Sequence, residues 1–156
     1  MGVFYYVNGT TAATAATDQH VIAEIWNPSS TRTISLLELA LVSFAAPGAG
    51  AGFITRRSSA KGTAGSTVTP VAANHARNQA APDSGFTLEL AAFTGQPTLV
   101  TGDLSPAWVF AAVAASGVVL PIPRGIEIPP GTGLCFCNRA AIAFPTSEIA
   151  IVVEEL

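Results

Sequence analysis

The chain has 156 residues, of which only 11% are charged, with a formal net charge of −3 and a mean hydropathy of +0.47. An average soluble domain is about 25% charged. A pI near 5.2 excludes general nucleic-acid binding, which needs a basic domain. Since large apolar areas mark interaction sites, the composition favours a structural protein that buries surface in an assembly over an enzyme.

No membrane segment or export signal is predicted. Residues 104–123 form the longest uncharged run, but proline, glycine and serine interrupt it. Residues 1–17 lack the basic and apolar regions of a secretory signal. Cys135 and Cys137 point the same way in a strand, near the distance limit for a disulfide, so we expect buried, reduced thiols in a cytosolic protein.

Taken in chain order, the elements predict an all-β protein. Residues 1–17 are expected to form a flexible N-terminal arm, or a first strand at Val3–Val7 followed by an Ala/Thr-rich linker. Residues 18–156 form one domain, in which period-two patterns and Gly/Pro turns predict about eight to ten strands and a jelly-roll-like β-sandwich. The strands are expected at Val21–Trp26, Thr33–Phe44, Phe53–Ser58, Phe86–Phe93, Trp108–Val113, Val118–Ile122, Ile126–Ile128, Leu134–Asn138 and Glu148–Val153.

The longest of these strands, Thr33–Phe44, is apolar on both faces. Strict alternation places Ile34, Leu36, Val42 and Phe44 on one face and Leu37, Leu39 and Leu41 on the other. We therefore expect both faces to be buried over its middle. Its lone charge, Glu38, is expected to be paired, at a subunit contact or on an exposed bend.

Residue patterns for chemistry are weak. Asp18 and His20 lie two positions apart but lack a nucleophile signature. Cys135 and Cys137 have no second ligand pair for zinc, and no phosphate-binding glycine motif is present. We predict that the protein is not an enzyme and needs no metal or cofactor.

One cluster of cations supports a binding hypothesis. Arg56, Arg57, Lys61 and Arg77 lie between Leu39 and Pro82, a stretch without Asp or Glu that includes a long polar loop from Lys61 to Gly85. Either these charges are simply solvated, or they steer the chain toward an acidic partner surface. Arginine favours the second interpretation, since it binds carboxylates in a bidentate geometry.

The layout from Ile22 to Leu156 resembles the jelly-roll decoration, or cement, proteins of tailed-bacteriophage capsids. The resemblance lies in turns and strand patterns read in series: Asn27-Pro28, Thr31-Arg32-Thr33-Ile34, Val42-Ser43-Phe44, Arg56-Arg57, Val68-Thr69-Pro70-Val71, Gln96-Pro97-Thr98, Trp108, Pro121 to Ile128, Pro129-Pro130-Gly131 and Ile149 to Glu155.

This resemblance implies a virion protein on the capsid surface, assembled in the cytoplasm of a host bacterium. Such proteins are homotrimers that bridge subunits of the major capsid protein, and they have no catalytic residues. The expected capsid contacts are Phe4, Tyr5 and Tyr6 of the arm or the basic residues Arg56, Arg57, Lys61 and Arg77. We expect no nucleic-acid or membrane partner.

Two other classes remain open. A jelly-roll module of a phage fibre or tail that binds a receptor or carbohydrate would carry exposed aromatic residues on its loops, and few are present here. An enzyme on a cupin-like barrel would need a histidine-rich metal set, which His20 and His75 do not provide.

Overall fold

A computed structural model describes residues 2–72, 81–102 and 107–156. These residues form twelve β-strands and no helix that could span a membrane. The strands are β1 (Val3–Thr11), β2 (Val21–Asn27), β3 (Ile34–Ser43), β4 (Gly52–Ala60), β5 (Ser66–Val68), β6 (Val71–Ala72), β7 (Thr87–Leu90), β8 (Thr98–Leu99), β9 (Trp108–Val109), β10 (Gly117–Ile128), β11 (Thr132–Asn138) and β12 (Ser147–Glu155).

The strands form two antiparallel sheets that pack as a sandwich. Sheet A has the order β10-β3-β12-β1-β6, and sheet B has the order β5-β7-β2-β11-β4-β8, with β9 also paired to β4. The predicted all-β sandwich is confirmed. Five strands, β2, β3, β4, β11 and β12, begin and end within two residues of the predicted bounds.

The strand pairs are nested, which is the topology of a jelly roll. β1 pairs with β12, β2 with β11, β3 with β10, and β4 with the short strands β8 and β9. A long antiparallel hairpin wrapped on itself produces this nesting, as in the double-sheet jelly rolls. β5 and β7 extend sheet B beyond β2, and β6 extends sheet A beyond β1.

Residues 3–11 form a strand of the sandwich, which corresponds to the predicted first strand at Val3–Val7 and not to the alternative of a flexible arm. β1 is in continuous register with β12, from Val3 opposite Glu155 to Thr11 opposite Ser147. The alternation of Tyr5 and Val7, which are buried, with Phe4 and Tyr6, which are exposed, explains the pairing: one side of β1 enters the core.

β3 contains a bulge at Leu37 that changes which residues face the core. Leu36 lies opposite Val153 and Glu38 opposite Val152, so Leu37 has no register partner on β12. The extra residue inverts the alternation. Consequently Leu36 and Leu39 are both buried. The prediction that both faces are buried over the middle of β3 is wrong, because the outward residues Glu38 and Val42 are exposed.

The main core fills the space between the sheets and is rich in aromatic rings. Phe53 contacts Trp108, Phe110 and Phe136, with the Trp108 ring stacked at a centroid distance of 5.0 Å. Tyr5 meets Phe86 edge to face at 5.6 Å. These contacts join β1 and the loop before β7 at one end of the sandwich, and β4, β9 and β11 at the other.

A second, smaller cluster lies on the outer side of sheet B. Its buried members are Val21, Ile54, Ala91, Phe93, Cys135 and Cys137. The segments 60–66 and 91–99 fold over this side, where Thr63 and Gly95 form an isolated bridge and Gly65 donates a hydrogen bond to the Leu90 carbonyl. Sheet B is therefore covered on both sides by its own chain.

Candidate interaction surface

The outer side of sheet A carries exposed apolar side chains along adjacent strands. We call it the outer A face and define it by Tyr6, Asn8, Glu38, Ala40, Val42, Val71, Val119, Glu148, Ala150 and Val152. Tyr6 on β1 and Val119 on β10 are each 62% exposed. Strand alternation produces this face, because the neighbours Val7, Ile151 and Leu41 enter the core.

The register aligns these residues in rows across the sheet. One row runs from Val71 through Tyr6 and Val152 to Glu38. The next runs from Asn8 through Ala150 and Ala40 to Val119. Directly opposed side chains are about 4.5–5.5 Å apart at Cβ, so each row is a continuous strip that a partner can cover.

The shape and charge of the outer A face are simple. A shallow depression of about 330 Å³ lies between Tyr6, Glu38 and Ala150. Glu38 and Glu148 are the charges in the defined set, and both are acidic. Glu148 lies on β12, the middle strand of sheet A, and Glu38 lies on the neighbouring β3, so the two negative charges are interspersed among apolar residues. Such a face complements an apolar surface that carries cations.

The aromatic residues predicted to contact a partner divide between surface and core. Phe4 is 41% exposed and Tyr6 lies on the outer A face. Tyr5, in contrast, is fully buried, so the prediction that it contacts a partner is wrong for this fold. Burial, reinforced by the carboxylates of Glu155 and Asp83, raises the pKa of Tyr5 to about 12.

The predicted basic cluster is largely used within the molecule. Arg56, half-buried on β4, donates hydrogen bonds to the side-chain carbonyl of Gln19 and the main-chain carbonyl of Val100. Lys61 forms an ion pair with Glu89, with 2.7 Å between Nζ and Oε1. Arg57 is exposed, and Arg77 lies outside the described residues. The three cations that the structure describes therefore do not form one open basic patch.

Beneath the segment 60–66, the outer side of sheet B holds two carboxylates that sequence patterns did not reveal. Glu24 on β2 and Glu89 on β7 are register partners, and both are buried. The Glu24 carboxylate accepts hydrogen bonds from Ser58 Oγ at 2.5 Å and from the Gly62 amide at 3.0 Å. Glu89 accepts hydrogen bonds at 2.6 Å from the hydroxyls of Thr67 and Thr87.

The pKa values of the two carboxylates are shifted in opposite directions. Burial raises the pKa of Glu24, although its hydrogen bonds oppose the shift. The pKa of Glu89 is lowered, because Lys61 and the two threonine hydroxyls outweigh the effect of burial. Hydrogen bonding to an ionised carboxylate favours the charged form. These contacts hold the segment 60–66 on the sheet through Lys61 and Gly62, and they hold the adjoining strand β5 through Thr67.

The cysteines lie on the same covered side of sheet B and are free thiols. Burial raises the pKa of the Cys135 thiol, and it raises that of Cys137 to about 12. Both are therefore protonated near neutral pH. Among the described residues no group of three or more His, Cys, Asp or Glu side chains is placed to hold a metal ion. The His20 ring lies 3.3 Å from the Gln96 amide.

The outer A face itself was missed by sequence reasoning. The available signal was the presence of apolar residues at consecutive strand positions, as in Val118-Val119 and Val152-Val153. In a half-exposed sheet one member of each pair must face outward. Which member does so depends on bulges and register, and those are visible only in the structure.

Comparisons with known proteins do not identify a family for this chain. No protein-family model and no curated protein matches the chain. Among solved structures, a weak similarity is found to VP17, a capsid protein of bacteriophage P23-77, at 12% sequence identity and a TM-score of 0.25. That alignment covers 100% of this chain and 97% of the other. A similarity of this size does not establish a shared fold.

Proposed function

We propose that the chain is a structural protein of a bacteriophage virion that decorates the outside of the capsid and stabilises it by bridging major capsid subunits as a homotrimer. The observation that carries the proposal is the outer A face, a broad apolar sheet surface that the described residues leave exposed while they cover the other sheet. Apolar patches of this kind on a soluble domain mark protein contacts.

The fold agrees with this role. A jelly roll is the architecture expected from the layout resemblance to capsid decoration proteins, and its sheets are rigid platforms for contact with a neighbouring subunit. Binding only the assembled shell stabilises that shell by mass action, and three linked copies add avidity. No catalytic step is needed for this function.

The proposed contacts on this chain are the outer A face together with Phe4, which precedes Tyr6 on the outward side of β1. The carboxylates of Glu38 and Glu148, which lie among the apolar residues, steer the face toward a partner surface that carries cations. Two copies packed symmetrically through this face would bring like charges together, so the face fits a different protein better than a second copy in that geometry. Arg57 remains a proposed secondary contact.

The test is a binding assay on capsids of the phage that encodes the chain, stripped of this protein and then mixed with purified variants. Val119→Asp places a charge on the outer A face. Val113→Asp is the matched control, since Val113 is 58% exposed and lies outside that face. We expect Val119→Asp to weaken capsid binding at least tenfold and Val113→Asp to leave it unchanged. Equal binding by both variants would remove the outer A face from the proposal.

Oligomeric state is measured separately, by light scattering coupled to size exclusion. A mass of three times 15.9 kDa is expected for the trimer. A clean monomer that never sediments with capsids would contradict the proposed function. Recovery of the chain on tail fibres, together with carbohydrate binding in solution, would support the receptor-binding alternative instead.

A further inference from the structure

An apolar cavity of about 290 Å³ opens between the two sheets, on the side where β10 faces β9. Its walls include Leu36 and Leu39 of β3, Leu120 and Ile122 of β10, Phe136 of β11 and Trp108 of β9. These residues come from both sheets, so the cavity lies inside the sandwich. It is separate from the outer A face, which lies on the opposite side of β3 and β10.

Two irregularities of the fold create this space. In β10 the register with β3 shifts between Pro121 and Ile126, so the residues between them bow out opposite Leu37. In sheet B the innermost nested pair is cut short, because β4 is paired only to the two-residue strands β8 and β9 at that edge. Among the described residues neither edge closes over the other, so the cavity reaches the surface there.

The chemistry of the lining selects the ligand. Every lining side chain is apolar except Thr55, and none is charged. Such a lining offers water few of the two to four polar partners that it needs. Displacement of this poorly held water by an apolar molecule is therefore favourable. A charged ligand would lose its hydration without compensation. The ligand class is therefore uncharged and apolar.

The volume of the cavity limits the size of the ligand. An apolar cavity of about 150 Å³ accepts a single benzene ring. The cavity here is roughly twice as large, which corresponds to two fused aromatic rings or a compact hydrocarbon of similar volume. The Trp108 and Phe136 rings in the wall supply faces and edges against which an aromatic ligand packs.

We propose that the cavity between β10 and β9 is a binding site for a compact, uncharged apolar molecule of about the size of naphthalene. The site is independent of the proposed capsid role: it requires only the folded sandwich, and it stands whether or not the outer A face contacts a capsid.

The experiment is a titration of the full chain with naphthalene, followed by methyl NMR and by thermal unfolding. Saturable 1:1 binding is expected, with shifts concentrated on the methyl groups of Leu36, Leu39 and Ile122 and with a rise in Tm from ligand binding to the folded state. The methyl groups of Val42 and Val71, on the outer A face, are expected to stay unchanged.

Variants distinguish naphthalene binding inside the cavity from adsorption to the protein surface. Leu120→Trp fills the space and is expected to lower naphthalene affinity at least tenfold. Val119→Trp is the matched control, because Val119 is the next residue of β10 and faces outward. It is expected to keep the wild-type affinity. Ile122→Phe, a milder filling change, serves if Leu120→Trp does not fold.

Three results would overturn the proposal. The first is the absence of methyl shifts in the lining at saturating naphthalene. The second is unchanged affinity in the folded cavity-filling variants. The third is a set of shifts spread over Val42, Val71 and Val119, which would show adsorption to the exposed sheet face.

Discussion

The outer sides of the two sheets are treated in opposite ways by the same chain. Over sheet B, the segments 60–66 and 91–99 cover Cys135 and Cys137. The first of these segments also binds the carboxylates of Glu24 and Glu89. Over sheet A, nothing among the described residues covers Tyr6 or Val119. Within the part of the chain that the structure describes, loops cover the outer side of sheet B and leave the outer A face exposed. This contrast supports the proposal that the outer A face contacts another molecule.

The two sheets also use their few charged side chains differently. On sheet B, two of the predicted contact cations, Arg56 and Lys61, hold covering segments in place. On sheet A, Glu38 and Glu148 stand in solvent beside apolar residues. Charged side chains are thus either used to seal the outer side of sheet B or interspersed among the apolar residues of the outer A face.

The largest expected contrast between the two faces is thiol reactivity. The native thiols, covered and with the Cys137 pKa at about 12, should react with a disulfide reagent at pH 8 about a thousandfold more slowly than an ordinary thiol. Val119→Cys places a thiol on the outer A face, where the rate should be that of an exposed cysteine. The reaction is followed by absorbance, with all thiols reacting in urea as the control.

Rapid modification of Cys135 or Cys137 in the native protein would mean that sheet B is not sealed. Protection of the Val119→Cys thiol on capsid binding would locate the partner directly on the outer A face.

The next largest effect is expected from Glu89→Ala. The change removes the ion pair to Lys61 and the acceptor for the Thr67 and Thr87 hydroxyls, all of which hold the cover of sheet B. We expect a loss of about 3 kcal/mol in the free energy of unfolding, measured by urea denaturation. Glu148→Ala on the outer A face is the control and should cost less than about 0.5 kcal/mol. Equal losses would erase the contrast between the faces.

The smallest effect is expected from Glu24→Gln, and it is measured as a change in how the free energy of unfolding depends on pH. Because the pKa of folded Glu24 is raised above the ordinary 4.5, its contribution to stability is greatest below that pH and is lost as the pH rises through the folded pKa. The variant should lack this decline above pH 4.5. Because the pKa of Glu89 is lowered, stability is also expected to fall as the pH decreases and Glu89 becomes protonated. The Glu24→Gln variant should keep this second loss.

Unfolding in urea across pH 4 to 8 checks this prediction, with wild type and variant measured in parallel. Identical slopes above pH 4.5 would show that the proton on Glu24 is not linked to folding.

The all-β class was predictable because period-two patterns and turn residues survive in the sequence, as in β2 and β11. The faces of β3 were not, because one bulge at Leu37 inverts the alternation for every residue after it. Likewise the basic residues at 56 and 61 read as a free patch, since the acceptors Gln19, Val100 and Glu89 are distant in sequence. Local patterns determine strands, whereas bulges and long-range partners determine which surface is left open.

The nested pairing also governs how the chain must fold. Tyr5 cannot form its ladder with Val153 until nearly the whole chain exists, and the β2 to β11 pairing waits almost as long. Topologies dominated by such distant contacts fold slowly, in milliseconds to seconds, and expose unpaired strands meanwhile. During synthesis β1 is thus an apolar strand without its partner, so the cell that makes this protein must tolerate or chaperone that interval before any assembly begins.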